Sequence, residues 1–311
     1  MRSTPTSDEF VAPTGAMRPR GSTEYHGVKV QPAAPRAPIA SAGVPGPMSE
    51  NEAIAAAGSR SGPARHDELK ICGLAAVKAR FARDPGSIKR LFFDHATGQR
   101  VGLMCKALAA QKKIYRQVEP AELEKVAGSI HHGGIVAVVY APPLRVTTAD
   151  ETAKWAKAGE SVLVLDRIGN AHNLGAIART AAFFGITRIV IPDHVSAARP
   201  SDSAHRVAEG GFEHLEVWLA RDLVAFAREL AATGYDVVGA ATRGGRPDAP
   251  REKGKDRKPL ALFLGNEEAG LAPDVAAVCG RLVTIPGSSK VESLNVSVAA
   301  AVLLWELLGR K

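Results

Sequence analysis

The sequence predicts an α/β protein built on a largely parallel sheet, and three observations carry that prediction. From Ser161 onward, short apolar segments (SVLVLD, RIVIP, HLEVW, YDVVGAA, PLALFLG, RLVTIP) are interleaved with segments of helical period (LGAIARTAAFF, DLVAFARELAAT). Strands that are apolar on both faces and separated by helices belong in a parallel sheet covered on two sides. Three of those strands also end in polar, glycine-containing loops, and in an open α/β sheet ligands sit at the carboxyl ends of the strands.

Taken in order, the chain divides into four parts. Residues 1–65 are dominated by Pro, Ala, Gly and Ser without a sustained apolar period, and read as a disordered tail. Its scattered arginines either attach it weakly to a phosphate backbone or merely solubilise it. Residues 66–142 form a small α/β unit. ICGLAAVKARFAR reads as a helix, IKRLFFD as a strand, VGLMCKALAAQKK as a helix, IYRQV as a strand, AELEKVAG as a helix and IVAVVY as a buried strand. Its lysines and arginines, from Lys78 to Arg116, either form an RNA-docking face or are ordinary solvated side chains. HHGG at 131–134 reads as a tight turn rather than a metal site. Residues 143–159 read as a charged connection that is part helix, and 160–311 form the main domain, with a mobile basic loop at 243–259.

Composition narrows the function. Forty basic against 32 acidic residues give +8, which favours a polyanionic partner such as RNA. Three distant cysteines without metal-ligand spacing indicate a reducing compartment and no metal. No apolar run approaches a membrane span and no signal-peptide pattern opens the chain, so a cytoplasmic protein is expected. Neither GxGxxG, GxxxxGK[ST] nor GxSxG occurs, which argues against a dehydrogenase, an NTPase and a serine hydrolase.

The last stretch, IPGSSKVESLNVSVAAAVLLWELL, joins a polar loop to a helix whose apolar residues Leu294, Val298, Ala301, Val302, Trp305 and Leu308 are expected to face a core. Ser293 and Asn295 stand where that helix begins. Ser293 either caps it or meets a ligand. Asn173 opens another helix after VLVLD, Arg179 follows about one and a half turns later, and Glu267 follows Gly265 after LALFL.

In order and spacing, the segments Asn173–Ala181, Leu264–Leu271 and Ile285–Ser297 resemble the three motifs of the SpoU/TrmH family of RNA 2′-O-methyltransferases, and the preceding unit resembles the L30e-like substrate-binding domain of that family. The resemblance implies a SPOUT-type domain with a deep C-terminal trefoil knot, a homodimer, RNA as partner (rRNA or tRNA) and S-adenosyl-L-methionine as cofactor. Leu264, Gly265, Ile285, Pro286, Leu294 and Asn295 would contact the cofactor. Asn173, Arg179, Glu267, Ser293 and Asn295 would form the catalytic group, with Glu267 orienting either Arg179 or Asn173. Two positions depart from the family pattern: Glu268 often is glycine there, and Asn266 commonly is serine or threonine. A guanidinium is a poor base at neutral pH, so Arg179 is read as a clamp on phosphate and ribose that stabilises the developing oxyanion. The alternative is a catalytically silent, dimeric RNA-binding protein that keeps the fold.

Overall fold

The structure, a computed structural model, describes residues 68–245, 258–288 and 290–308; the 1–65 tail and residues 246–257 of the basic loop lie outside them. The first ordered element is a strand that the periodicity had merged with the helix after it. β1 spans Glu68–Cys72 and α1 spans Leu74–Arg83, with Gly73 turning between them at a φ of 90° that a side chain rarely tolerates. There follow β2 (Ile88–Phe93), α2 (His95–Gly98), α3 (Gly102–Ala110), β3 (Ile114–Gln117), α4 (Pro120–Ala127) and β4 (Ile135–Tyr140). These strands form one sheet in the order β1-β4-β2-β3, with β4 antiparallel to both neighbours and β3 parallel to β2. The HHGG segment is a tight turn: Gly133 and Gly134 have positive φ, and the Gly73 N–H donates to the His132 carbonyl at 3.1 Å.

The second sheet contains β5 (Arg145–Val146), β6 (Val162–Leu165), β7 (Arg188–Pro192), β8 (Glu216–Ala220), β9 (Asp236–Ala240), β10 (Leu260–Leu264) and β11 (Arg281–Val283). Their order is β11-β9-β10-β6-β7-β8-β5 and every pairing is parallel, as the alternating pattern predicted. The part-helical connection does contain a helix, α5 (Ala149–Lys157), but it also belongs to this sheet: β5 is the edge strand, and α5 packs Trp155 edge-on against Trp218, ring centroids 5.0 Å apart. The other helices are α6 (Ala171–Phe183), α7 (Asp202–Ala208), α8 (Leu223–Ala232), α9 (Pro273–Val278) and α10 (Val296–Leu308). α7 and α9 escaped the sequence reading because each is under two turns long and lies in a polar stretch.

The last helix corrects the expectation for its apolar stripe. Its buried side chains are Val296, Ala300, Leu303, Leu304 and Leu307, while Val298, Val302 and Trp305, with Leu294 just before the helix, stand exposed. The helix is apolar all the way round, so period alone could not say which face meets the core. No helix among the described residues is long and apolar enough to cross a membrane.

The two sheets are joined through polar contacts. α1 meets the 3-10 turn Gly211–His214, where Arg80 and Glu213 lie 2.9 Å apart, each almost wholly buried, and β1 meets α7. Arg83 Nη1 donates to the carbonyls of Phe212 and Leu215 at 2.8 and 3.0 Å, and the Lys70 N–H donates to Asp202 Oδ1 at 2.8 Å. His205 is buried beside this pair, its Nδ1 3.9 Å from Glu213 Oε1 and its ring 4.6 Å from that of Phe212. Burial, helped by the Arg80 charge, lowers its pKa to about 4, and burial also raises the Glu213 carboxyl above its ordinary value against the pull of Arg80.

A histidine held neutral in the fold and free to charge in the unfolded chain makes the unfolded state bind more protons between about pH 6.5 and pH 4. The His205 contribution is therefore complete above pH 6.5 and is lost as pH falls towards 4, at about 1.4 kcal/mol for each pH unit. The raised Glu213 carboxyl acts with the opposite sign, so the His205 part is read as a difference: urea unfolding at pH 7 and pH 5 is expected to show a larger loss of stability on acidification in the native chain than in His205→Asn.

Candidate active site at the sheet's switch point

The strand order reverses direction between β6 and β10: the chain leaves β6 for β7 and β8 on one side, and leaves β10 for β11, beyond β9, on the other. The carboxyl ends of strands flanking such a point splay their loops apart and leave a crevice. On the β9–β10–β11 side of that point, the loops after these three strands, including Arg243, Leu264, Gly265, Glu267, Ile285, Pro286, Ser293 and Leu294, line a cavity of about 680 Å³. Its volume suits a nucleoside-sized ligand. The larger cleft in the protein, about 1310 Å³, lies elsewhere, along β8 and the 141–145 segment.

The loop after β10 folds back very closely on itself. A Cβ on Gly265 would lie 2.1 Å from the Gly270 carbonyl carbon and from Leu271 N, backbone atoms that cannot swing away. Asn266 and Gly270 exchange backbone hydrogen bonds at 3.0 and 2.9 Å, and Gly270 supplies the left-handed φ of 69°. The Asn266 side chain does the rest: Oδ1 accepts from the N–H groups of Glu268 and Ala269 at 2.9 and 3.1 Å, and Nδ2 donates to the Arg167 carbonyl at 2.9 Å. Asparagine thus builds this turn without the commoner hydroxyl residue. Glu268 is absent from the positive-φ residues, so its backbone does not require glycine.

Asp166, at the end of β6, anchors the loop from below. Buried to 2% exposure, it accepts from Ala272 N at 2.7 Å and pairs with Arg167 at 2.8 and 3.1 Å, which raises the Arg167 pKa. The sequence reading passed over it; its signal was a carboxylate terminating an otherwise apolar strand.

Three of the five expected catalytic side chains meet above this floor. Asn170 caps α6 by accepting from the N–H groups of His172 and Asn173, which leaves the Asn173 side chain free. Asn173 Nδ2 donates to Glu267 Oε1 at 2.6 Å, and Asn295 Nδ2 donates to Asn173 Oδ1 at 3.2 Å. Asn295, not Ser293, caps α10: its Oδ1 accepts from Ser297 N at 2.9 Å and from Ser297 Oγ at 2.6 Å. Glu267 and Asn295 are exposed and Asn173 is half-buried, so this amide–carboxylate chain runs from the helix surface outward.

The other two stand apart from that chain. Ser293 is exposed on the lip of the cavity. Arg179 lies six residues beyond Asn173 on α6, about 9 Å along the axis and on another face. Its recorded partner is Glu209, at 2.9 Å from Nη1, so Glu267 orients Asn173 and not Arg179 within one chain. Among the described residues no cluster of His, Cys, Asp and Glu could hold a metal ion.

A parallel sheet with an outward-facing polar network beside a switch-point cavity defines a ligand-binding α/β protein with the makings of an active site. Residues 160–305 match the family model described as the SpoU rRNA Methylase family, and residues 70–144 match that described as RNA 2′-O ribose methyltransferase substrate binding. The chain is 35% identical over 243 residues to the uncharacterized tRNA/rRNA methyltransferase YfiF of Escherichia coli O157:H7, covering 78% of this chain and 68% of that one. It is 33% identical over 240 residues to the 23S rRNA (guanosine-2′-O-)-methyltransferase RlmB of Nitrosomonas europaea, covering 76% and 89%. The chain belongs to the SpoU rRNA methylase family. Solved structures share the fold: the AdoMet-bound rRNA methyltransferase of Sinorhizobium meliloti (TM-score 0.62, 24% identity, 77% of this chain and 86% of that one) and the SpoU methyltransferase AviRb of Streptomyces viridochromogenes with AdoMet (0.59, 22%, 82% and 95%).

The backbone contact at Gly265 generates a paired prediction. Gly265→Ala is expected to lower the thermal midpoint clearly, at a cost of about 1–3 kcal/mol for forced overpacking. Gly287→Ala, where an added Cβ meets nothing within 4 Å, should leave the midpoint within a degree or so.

Proposed function

We propose that this chain is an S-adenosyl-L-methionine-dependent methyltransferase acting on a ribose 2′-hydroxyl of rRNA or tRNA. The observation that carries the reading is the Glu267–Asn173–Asn295 network beside the 680 Å³ cavity in a member of this family. The cavity fits the cofactor by its size, by apolar side chains such as Leu271, Leu282 and Leu303, and by loop backbone brought close through Gly265. Leu264, Gly265, Ile285, Pro286 and Leu294 line it and would hold the cofactor; Asn295, also expected to contact the cofactor, lies between the lining residues Leu294 and Val296 without lining the cavity itself. Bound there, S-adenosyl-L-methionine supplies an electrophilic methyl group.

The residues of this chain then have separate tasks. In-line displacement needs the attacking oxygen held at roughly 3 Å and aligned, which is positioning work. Asn173 and Asn295 offer amides for that purpose, and Glu267 fixes the orientation of Asn173. Arg179 presents a planar fork of donors to phosphate and to the oxyanion that develops as the hydroxyl loses its proton. Ser293, on the lip, is suited to meet the RNA.

The same reading assigns an L30e-like substrate-binding domain at 66–142 and a knotted SPOUT-type domain at 160–311, with 143–159 supplying the edge strand and a packed helix of the second sheet; the 1–65 tail lies outside the described residues. The 1310 Å³ cleft supports an RNA partner, since Lys70, Arg83, Arg145, Arg199 and Arg206 line it. The outward apolar face of α10, with Trp305 at 53% and nearby Phe183 at 83% exposure, supports a homodimer, because side chains of that size in one patch mark an interface. The same reading assigns a cytoplasmic location, that of the RNA it would modify. Of the features that pointed to a silent RNA-binding protein, Glu268 sits in an intact loop, and residues 246–257 lie outside the described structure.

Arg179→Ala is expected to lower single-turnover methyl transfer by roughly 100-fold, the scale of losing an oxyanion donor. Cofactor affinity by calorimetry should be unchanged. Unaltered turnover contradicts the role given to Arg179, and failure of the native chain to bind S-adenosylmethionine contradicts the assigned reaction.

A further inference from the structure

Glu209 occupies a position that side chains ordinarily avoid. It ends α7 in the left-handed conformation, φ 45° and ψ 42°, where glycine or asparagine is usual because a Cβ crowds the backbone. Among the described residues only Lys112 and Arg167 share such a φ without being glycine. A non-glycine residue held there is a reason to look for a function. What this backbone achieves is to turn the Glu209 carboxylate back over α6, where Oε1 lies 2.9 Å from Arg179 Nη1.

The turn carrying Glu209 has little room to move. A Cβ on Gly211 would lie 2.8 Å from Arg179 Cα, and one on Gly210 would lie 3.1 Å from Ala76 Cα in α1. The residues that follow are gripped from the substrate-binding side by the buried Arg80–Glu213 pair and by Arg83 on the Phe212 and Leu215 carbonyls. The carboxylate therefore sits on a segment clamped between the helix that bears Arg179 and the unit that would receive RNA. The ion pair itself is exposed, with side chains 58% and 62% accessible, and exposed pairs of this kind contribute little to stability. Its effect is on direction. A long, flexible side chain is tied at one end nitrogen of a five-donor fork, which leaves the rest of the fork presented in a fixed plane.

We propose that Glu209 is a positioning residue for Arg179: from a turn locked to the substrate-binding unit, its carboxylate sets the direction in which the guanidinium meets the RNA. The inference rests on the reaction proposed above and adds a residue to it. Glu209 touches neither the cofactor cavity nor the Asn173 network in this structure; it acts through Arg179.

The test is a double-mutant cycle in the full-length chain, read as single-turnover transfer from labelled S-adenosylmethionine to unmodified rRNA and tRNA, with RNA affinity measured alongside. Glu209→Gln is expected to slow transfer about tenfold, as a small misplacement of a reacting group does. RNA and cofactor dissociation constants should stay within about twofold, because the change is in orientation and not in contact area. Glu209→Gly should slow transfer equally while unfolding at the same or a higher temperature, since glycine relieves the backbone. Glu209→Asp should recover part of the rate. In an Arg179→Ala background, Glu209→Gln should have no further effect. An equal loss in both backgrounds, an unchanged rate, or faster transfer with tighter RNA binding overturns the proposal, the last because Glu209 would then mask Arg179 instead of aiming it. If the native chain transfers no label at all, the reaction itself falls, and this role with it.

Discussion

Strand β10 is the constraint on which the site depends. Its five residues, Leu260–Leu264, are all essentially inaccessible to water, and it pairs in parallel with β6 on one side and β9 on the other. A central strand of a parallel sheet cannot slide, because a one-residue slip would reverse every side chain between two fully packed faces. That fixes where Leu264 ends and Gly265 begins. Asp166, leaving the neighbouring β6, then sets the height of the loop by donating its N–H to the Leu264 carbonyl at 2.8 Å while its carboxylate accepts from Ala272 N. Glu267 is delivered to Asn173 as the consequence of these backbone contacts. The polar network is therefore placed by apolar packing several residues away.

The junction between the two sheets follows a different logic. It relies on a buried arginine–glutamate pair, a neutral histidine and side chains bonded to carbonyl oxygens more than on a continuous apolar seam. Buried charge is costly to desolvate, and its return is directional: a pair of this kind tolerates one relative placement of α1 and the Gly211–His214 turn and penalises others. For a protein that must present RNA to a remote reactive group, a fixed distance between the two units is worth that cost. The turn after α7 ties the same junction to α6, so the helix bearing Asn173 and Arg179 and the substrate-binding unit share one framework.

Much of this was legible in the amino-acid order. The seven-stranded sheet announces itself in alternating VLVL, RIVIP and LALFL segments, and Asn173, Glu267 and Asn295 could be singled out because each begins or follows an element at a strand end. What stayed hidden was of three physical kinds. The inward face of α10 was unreadable because both of its faces are apolar, and the expected stripe through Val298, Val302 and Trp305 turned outward. β1, α7 and α9 were too short for periodicity to register. Glu209 and Asp166 matter through backbone conformation and burial, which leave no pattern in residue type. Arg179 was singled out by its spacing, yet the side chain it touches, Glu209, could not be inferred from order along the chain.

The account as a whole stands or falls on where a methyl group goes. The most direct measurement is to incubate the native chain with methyl-labelled S-adenosylmethionine and, separately, unmodified rRNA and tRNA, digest each RNA to nucleosides and locate the label. The site described here predicts a 2′-O-methylated nucleoside from one of the two pools. Label on a base, or none on either RNA, would contradict it.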